Sequence, residues 1–267
     1  MCSKNKQRQF NGYFHTPPLW KGEWNGLKQL ELSPIPQPSY NSELGKKLRL
    51  GHLVETYVAY ELEQHKEIKV IAKNLQIIRE KQTLGEFDFI LKQGSEVKQI
   101  EVSYKFYFYD PSIIGSELAR WIGPNRKDSF LQKISKIKDR QFPLLQEKET
   151  YIALEKLRIN LHEVQQNVLF KGQLFVPLKT EVDVAPLNPD NVVGIYINLD
   201  EIDRFKDDKF IIPNKHEWLI KPHENVAWKS LNEIREALTE SIKEERSVLV
   251  WHKSSKGVLT KMFIVWW

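Results

Sequence analysis

The spacing of apolar residues along the chain predicts a layered α/β domain over residues 43–177. Between residues 41 and 65, apolar side chains recur every three or four positions from Leu44 onward, which is typical of an amphipathic helix, and Ser42 is a suitable N-terminal cap. Three strand-like runs, a second helix and a fourth strand follow at residues 69–78, 86–91, 99–109, 127–141 and 168–176. This order, αβββαβ, describes a layered α/β domain.

Turn and capping residues mark the ends of these elements. Gly94 and Ser95 lie between the second and third strands and suit the turn of a β-hairpin. Ser129 and Gln132 have the spacing of a capping box at the start of the second helix.

The two flanks of this domain have different patterns. Residues 1–42 predict an irregular lead-in, because several prolines break any helix there, and we expect Trp20 and Trp24 to pin the segment to the body. Residues 178–267 predict a C-terminal α+β extension, either a separate domain or a continuation of the sheet. Its expected strands and helix are residues 192–198, 210–212, 248–251, 259–265 and 230–245.

A group of charged residues on the predicted hairpin is the candidate for chemistry. Side chains alternate along a strand, so Glu101, Ser103 and Lys105 share one face, and Asp88 is expected to lie beside Glu101 near the end of the hairpin. Glu55 lies upstream on the first helix. Carboxylates are ligands that Mg²⁺ prefers, and a nearby lysine can orient a water or stabilise developing charge. The predicted chemistry is hydrolysis of a phosphodiester; the alternative is a solvated sheet face with an ordinary surface ion pair.

Several segments, in order along nearly the whole chain, resemble the bacterial domain-of-unknown-function 1853 family. They are Leu50-Gly-His-Leu-Val-Glu55, Gly85-Glu-Phe-Asp-Phe89, Glu101-Val-Ser-Tyr-Lys-Phe106, Trp121-Ile-Gly-Pro-Asn125, the helix with Asp128, Lys133 and Gln141, Gly172-Gln-Leu-Phe-Val-Pro177, Trp218-Leu-Ile-Lys-Pro222 and residues 263–267. That family is regarded as related to the PD-(D/E)XK nucleases, so the resemblance implies a restriction-endonuclease-like core, which is a mixed central sheet flanked by helices.

The resemblance also implies roles for individual residues. Asp88 and Glu101 would bind Mg²⁺ or Mn²⁺, Lys105 would be the catalytic lysine, and Glu55 matches the acidic residue on the first helix of such nucleases. Gln141 matches the glutamine that exonuclease-like members carry after the site.

The spacing between Glu101 and Lys105 departs from the superfamily pattern. That pattern has one residue between the glutamate and the lysine, whereas here Ser103 occupies the usual lysine position and Lys105 lies about 7 Å further along the strand. Two hypotheses therefore stand beside the nuclease: a nuclease-fold module that binds nucleic acid or protein without cleavage, and a structural protein with ordinary surface carboxylates.

Charge distribution and loop chemistry suggest where nucleic acid would bind. Residues 126–140 carry a local excess of basic side chains, which attract phosphate backbones. The candidate nucleic-acid-binding residues on this segment and beside it are Lys133, Gln141, Lys136, Arg140 and Asn125. The alternative is that they form a solvated helix face and a turn.

Composition restricts the class of protein. The 267 residues include 41% hydrophobic and 28% charged residues and a net charge of +5, as in a globular protein. The single cysteine excludes an internal disulfide, no apolar run approaches a membrane span, and no secretory signal is recognisable, so we expect a cytoplasmic protein with no membrane partner. The scattered histidines predict no zinc site. Trp266 and Trp267 are expected to pack onto the sheet or into a homodimer contact.

Overall fold

The computed structural model describes residues 2–41 and 48–267 of the chain, and for Cys2 and Ser3 it describes the backbone alone. The helices are α1 (Cys2–Phe14), α2 (Leu50–Leu62), α3 (Phe130–Lys136), α4 (Lys148–Lys156) and α5 (Leu231–Lys243). The strands are β1 (Glu23–Trp24), β2 (Leu27–Lys28), β3 (Ile68–Arg79), β4 (Gln82–Gln93), β5 (Glu96–Tyr109), β6 (Trp121–Ile122), β7 (Val164–Pro177), β8 (Val192–Asn198), β9 (Lys209–Ile211), β10 (Lys229–Ser230), β11 (Val248–Lys253) and β12 (Leu259–Val265). A π-helical turn, Ile137–Gln141, follows α3 directly.

A mixed sheet joins the strands from β3 to β12, with the order β10-β9-β11-β12-β8-β7-β5-β4-β3 and with β6 paired to β5. The β3, β4 and β5 strands form an antiparallel meander, whereas β5, β7, β8 and β12 pair in parallel. The large mixed sheet flanked by helices that the sequence predicts is confirmed. The strands after residue 178 continue this same sheet, because β8 pairs with β7.

The two faces of β5 pack against different helices. Ile100, Phe106 and Phe108 belong to a buried cluster with residues of α1 and α2, whereas Tyr107 and Tyr109 belong to one with residues of α3. This alternation follows from the period of two along a strand. The face that carries Glu101, Ser103 and Lys105 is therefore the α3 face.

The prediction that residues 1–42 are an irregular lead-in is wrong for the first segment, because α1 is a helix. The first prolines, Pro17 and Pro18, come after this helix has ended at Phe14 and do not interrupt it. Phe10 and Tyr13 lie one turn apart and pack against Tyr57 of α2, which stabilises the helix. Trp20 is fully buried, as expected.

The helices on either side of the meander begin later than predicted. Arg49 is extended, with φ −68° and ψ 153°, so α2 starts at Leu50; the predicted cap Ser42 and the first apolar position Leu44 lie outside the described residues. Ser129 caps α3 as predicted, since its side chain accepts a hydrogen bond from the Gln132 backbone N–H at 3.3 Å. In the described part of the chain, no helix combines the length and apolar composition that crossing a bilayer requires.

Candidate acidic site between β4, β5 and α3

The β4 and β5 strands separate at Asp88. Their cross-strand register runs from Gln93 opposite Glu96 to Phe89 opposite Ile100 and ends there. Asp88 is the next residue of β4, and its Oδ2 accepts a hydrogen bond at 2.8 Å from the backbone N–H of Val102, two residues beyond Ile100 on β5. A carboxylate thus takes the place of a backbone carbonyl, and it lies where the strands part beside Glu101.

Glu101 is the most buried carboxylate of the group, with 2% of its surface exposed. Its Oε1 atom accepts hydrogen bonds from Lys133 Nζ at 3.2 Å and from Gln141 Nε2. Lys133 Nζ also donates to Gln141 Oε1 at 3.3 Å, so the three side chains form one group. Glu101 Oε2 is buried and has no hydrogen-bond partner among the described residues.

The α3 helix and the π-helical turn bring Lys133 and Gln141 to Glu101. Phe130 and Ile134 are buried against the sheet, which fixes the side of α3 that carries Lys133. Gln141 is the last residue of the π-helical turn. Such turns redirect the side chains that follow them and occur frequently at functional sites.

Burial raises the pKa values of both strand carboxyls, and repulsion by neighbouring carboxylates adds to the rise at Asp88. Burial, and then the negative charges of Glu101 and Glu55, raise the pKa of Asp88 to about 8, against the opposing effect of the Val102 N–H and the Lys133 charge. Burial also raises the pKa of Glu101, while the Lys133 charge and the hydrogen bonds from Lys133 and Gln141 oppose this rise. Two carboxyls that titrate together in this way would both be stabilised as anions by an added cation.

Glu55 approaches this site from α2. Its charge contributes to the raised pKa of Asp88, and its Oε2 atom lies 3.2 Å from Nδ1 of His52, one turn earlier on the same helix. The structure therefore brings Asp88, Glu101 and Glu55 into one electrostatic group, together with Lys133 and Gln141.

Lys105 has a different partner. Its ammonium donates a hydrogen bond to Asp128 Oδ2 at 2.7 Å, just before α3. Four residues of strand place the backbone of Lys105 about 13 Å from that of Glu101. The role of Lys105 as the catalytic lysine stays a prediction.

Asp128 is a site residue that sequence reasoning missed, and Gly123 holds it in place. A Cβ atom on Gly123 would lie 1.9 Å from Asp128 Oδ1, and the Gly123 N–H donates to the Asp128 carbonyl at 2.7 Å. The signal in the sequence is the Gly123-Pro124 pair, whose turn chemistry predicts a tight loop but not what the loop carries.

The remaining predicted nucleic-acid-binding residues lie around this group. Lys136 and Arg140 are exposed, on α3 and the π-helical turn, and the charge of Lys136 contributes to lowering the pKa of Glu101. Asn125 is exposed in the loop before α3, where its Oδ1 accepts a hydrogen bond from the Ser247 backbone N–H at 3.4 Å. Asn125 thus contacts the segment before β11.

One family model matches almost the entire chain, over residues 5–265, and it is described as Domain of unknown function (DUF1853). The chain belongs to the DUF1853 family. No curated protein and no solved structure matches it.

The donor set of this DUF1853 chain fits a small, hard divalent cation. Within residues 2–41 and 48–267, no three His, Cys, Asp or Glu side chains group closely enough to form an all-protein metal cage. Mg²⁺ does not require one, since one or two carboxylates commonly hold it together with water and substrate phosphate. Glu101 Oε2, buried and unpartnered, and the neighbouring carboxyl of Asp88 are oxygen donors of this kind.

Proposed function

We propose that this DUF1853 protein is a Mg²⁺-dependent nuclease that hydrolyses phosphodiester bonds in DNA, with RNA as the alternative substrate, on a core of the PD-(D/E)XK type. The observation that carries the proposal is the pair of carboxyls, Asp88 and Glu101, at the point where β4 and β5 separate. Both carboxyls have raised pKa values, and a divalent cation between them would stabilise their ionised forms.

In this proposal Asp88 and Glu101 bind Mg²⁺ or Mn²⁺, and Glu55 completes the shell directly or through water. A divalent ion held by these residues would supply Lewis-acid chemistry, polarising the phosphoryl group and making a water molecule more acidic. Val102 fixes Asp88 through its backbone N–H, and Gln141 fixes Glu101 through its amide, so both carboxylates are oriented before substrate arrives.

The lysine beside the carboxyl pair is Lys133 rather than Lys105. The Lys133 ammonium already contacts Glu101, so it is placed to hold the attacking water or the developing negative charge on the phosphate. To hold the attacking water or the developing charge in the same way, Lys105 would have to leave Asp128. In its observed position, Lys105 is suited to bind a substrate phosphate further along the sheet face.

Exposed cations next to the site provide a path for a nucleic-acid backbone. Lys136 and Arg140 follow Lys133 along α3 and the π-helical turn and are solvent-exposed. Contacts of such cations with phosphates depend strongly on salt and little on sequence. We therefore infer that substrate is bound mainly through its backbone.

The test compares the purified protein with Asp88→Asn and Glu101→Gln on linear, circular and single-stranded DNA in Mg²⁺ or Mn²⁺. The matched control is Glu96→Gln, which removes an exposed carboxylate from the same strand. We expect cleavage to fall about 100-fold or more in the two site variants and to persist in the control. Undiminished cleavage by Asp88→Asn, or no cleavage by the unaltered protein on any of these substrates, would exclude the assignment.

The second candidate function is a nuclease-fold module that binds nucleic acid without cleaving it. The observation in its favour is the ion pair between Lys105 and Asp128, together with Ser103 in the usual lysine position. Salt-dependent DNA binding, with no hydrolysis and no heat of Mn²⁺ binding in calorimetry, would support this candidate over the nuclease.

A further inference from the structure

A second candidate site lies on the other face of the sheet, beside α1. A cavity of about 820 Å³ lies between α1, the segment after residue 218 and the strands β7 and β12. Gln173 lines it from β7 and contacts Tyr104 of β5, whose side chain packs with the α1–α2 cluster. Because Glu101 lies on the α3 face, this cavity is distinct from the acidic site, and it has the size of a small-molecule pocket.

A buried lysine lines this cavity. Lys261 of β12 is only 4% exposed. Its ammonium donates hydrogen bonds to the Gln173 side-chain oxygen at 2.8 Å and to the Trp218 carbonyl. Both acceptors are neutral, and Lys261 makes no ion pair with a carboxylate in the described part of the chain.

A second buried lysine nearby, Lys171, has a carboxylate partner within the chain. Lys171 of β7 is 5% exposed. Its ammonium lies 3.7 Å from Glu61 Oε2 and 4.4 Å from the centre of the Tyr13 ring. An unpaired buried charge is unfavourable. Lys171 is paired with Glu61 of α2, whereas Lys261 has no carboxylate partner among the residues that the structure describes.

The other charged and titratable groups that line the cavity are mostly basic. They are Arg8 and His15 from α1, Asp190, Lys221 and His223. Arg8 and Lys221 together with Lys261 place three cations at the cavity against the single carboxylate of Asp190. The cavity is also lined by the apolar residues Leu219, Ile220 and Leu259, which can pack against the carbon skeleton of an organic ligand.

We propose that this cavity binds a small organic anion, and that a carboxylate or phosphate group of the ligand is the counter-ion of Lys261. The ligand group would take the remaining N–H of the ammonium, while Arg8 and Lys221 attract its negative charge from the rim. The site is independent of the proposed nuclease chemistry on the α3 face.

Proton uptake is a consequence that distinguishes this site from a basic surface patch. Burial lowers the pKa of Lys261 to about 7. A bound anion raises that pKa again, so binding near pH 8 takes up a proton and weakens as the pH rises further. His15 and His223 also line the cavity, so the part of the pH dependence that disappears when Lys261 is replaced is the part that tests the proposal.

The test measures binding of inorganic phosphate and of succinate to the whole protein by calorimetry at constant ionic strength between pH 6 and pH 9. The phosphate and succinate arms distinguish the two kinds of anionic group. The variants are Lys261→Met, Arg8→Gln and, as a matched change of charge on an exposed turn, Lys256→Met.

We expect saturable binding of at least one of these anions by the unaltered protein and by Lys256→Met. The Kd should rise about tenfold or more in Lys261→Met, with the proton uptake abolished, and rise by a smaller factor in Arg8→Gln. Should Lys261→Met fail to fold, Arg8→Gln carries the test alone. Binding that is equal in all four proteins, or absent in the unaltered protein with both anions, would overturn the proposal.

Discussion

The Lys133 ammonium, carried by α3, donates a hydrogen bond to the Oε1 atom of Glu101 on β5 at 3.2 Å. This contact crosses between two layers of the fold and connects residues that are far apart in the sequence. It neutralises one of the two strand carboxyls, while Asp88 receives its only close hydrogen bond in the described structure from the neutral Val102 N–H. The pair is thus asymmetric, and Asp88 is the carboxyl whose protonation is most sensitive to its surroundings.

The first prediction concerns stability and pH. Burial and the nearby carboxylates raise the pKa of Asp88 from 3.8 to about 8, so between these values the folded protein holds a proton that the unfolded chain has released. The free energy of unfolding therefore falls as the pH rises from about 4 to about 8. Without divalent metal, Asp88→Asn should be more stable than the unaltered protein by about 2 kcal/mol at pH 9, and nearly equal to it at pH 4.

Urea unfolding in EDTA at a series of pH values measures this difference. Asp139→Asn, an exposed carboxylate beyond α3, is the control and should change stability little at any pH. A gap between Asp88→Asn and the unaltered protein that stays constant over the range would contradict the raised pKa.

The second prediction separates the two lysines. If the proposed nuclease is correct, Lys133→Met should lower cleavage about 100-fold and at the same time tighten Mn²⁺ binding, since it removes a positive charge from Glu101. Lys105→Met should lower cleavage less and leave Mn²⁺ affinity unchanged, because its partner is Asp128. Cleavage assays and calorimetry on the same preparations provide both readouts.

A larger loss of cleavage in Lys105→Met than in Lys133→Met would support Lys105 as the catalytic lysine, which is the role that the resemblance implies. In that case Lys105→Met would abolish cleavage, Lys133→Met would preserve it, and Lys105 would have to move from Asp128 to the carboxyl pair when substrate binds. Equal and small effects of both substitutions would instead indicate that neither ammonium acts in the reaction.

The strands were predictable because their signals are local. The alternation in residues 99–109 is a property of neighbouring positions, and β5 covers this run. The α1 helix departs from the predicted irregular lead-in because the helix-breaking prolines all lie beyond its end, and Phe10, Tyr13 and Phe14 have the i, i+3, i+4 spacing of a helix face.

The partners within the site were not predictable in the same way. Strand alternation places Glu101 and Lys105 on one face. Glu101 pairs with Lys133 and Lys105 pairs with Asp128, and both pairings depend on how α3 and the loop before it pack on the sheet. These are contacts between layers, and no spacing along the chain encodes them. The sequence identifies Gly123 as a turn residue, but only the structure shows that the missing side chain of Gly123 leaves room for Asp128.

The third prediction tests that loop. Gly123→Ala would place a Cβ atom 1.9 Å from Asp128 Oδ1, so the Asp128 side chain must move, which disturbs its ion pair with Lys105. We expect a loss of about 2 kcal/mol in the free energy of unfolding, mainly from the steric conflict. Gly51→Ala is the control: a Cβ at this position of α2 meets nothing within 4 Å, so stability should stay equal or rise slightly.

Denaturant titration of the two alanine variants gives the comparison directly. A Gly123→Ala protein as stable as Gly51→Ala would mean that the loop accommodates the methyl group, and the placement of Asp128 would then not depend on glycine.

The fourth prediction concerns the two buried lysines on the α1 face. Lys171→Met removes the partner of the buried Glu61 carboxylate and should cost about 3 kcal/mol, because an uncompensated charge remains. Adding Glu61→Gln should recover most of that loss: the amide oxygen still accepts a hydrogen bond from the Tyr13 hydroxyl, and no buried charge is left. The double-mutant cycle, measured by urea unfolding, should therefore give strong coupling.

Lys261→Met is the comparison for Lys171→Met. Lys261 is as buried as Lys171, but the two groups that accept hydrogen bonds from its ammonium are neutral. Replacing Lys261 therefore leaves no carboxylate unpaired. We expect Lys261→Met to leave stability unchanged or to raise it in the absence of added anions, since a buried cation is exchanged for an apolar side chain of similar length. If Lys261→Met were as destabilising as Lys171→Met, the Lys261 charge would already be compensated within the chain, and the cavity beside it would need no anion.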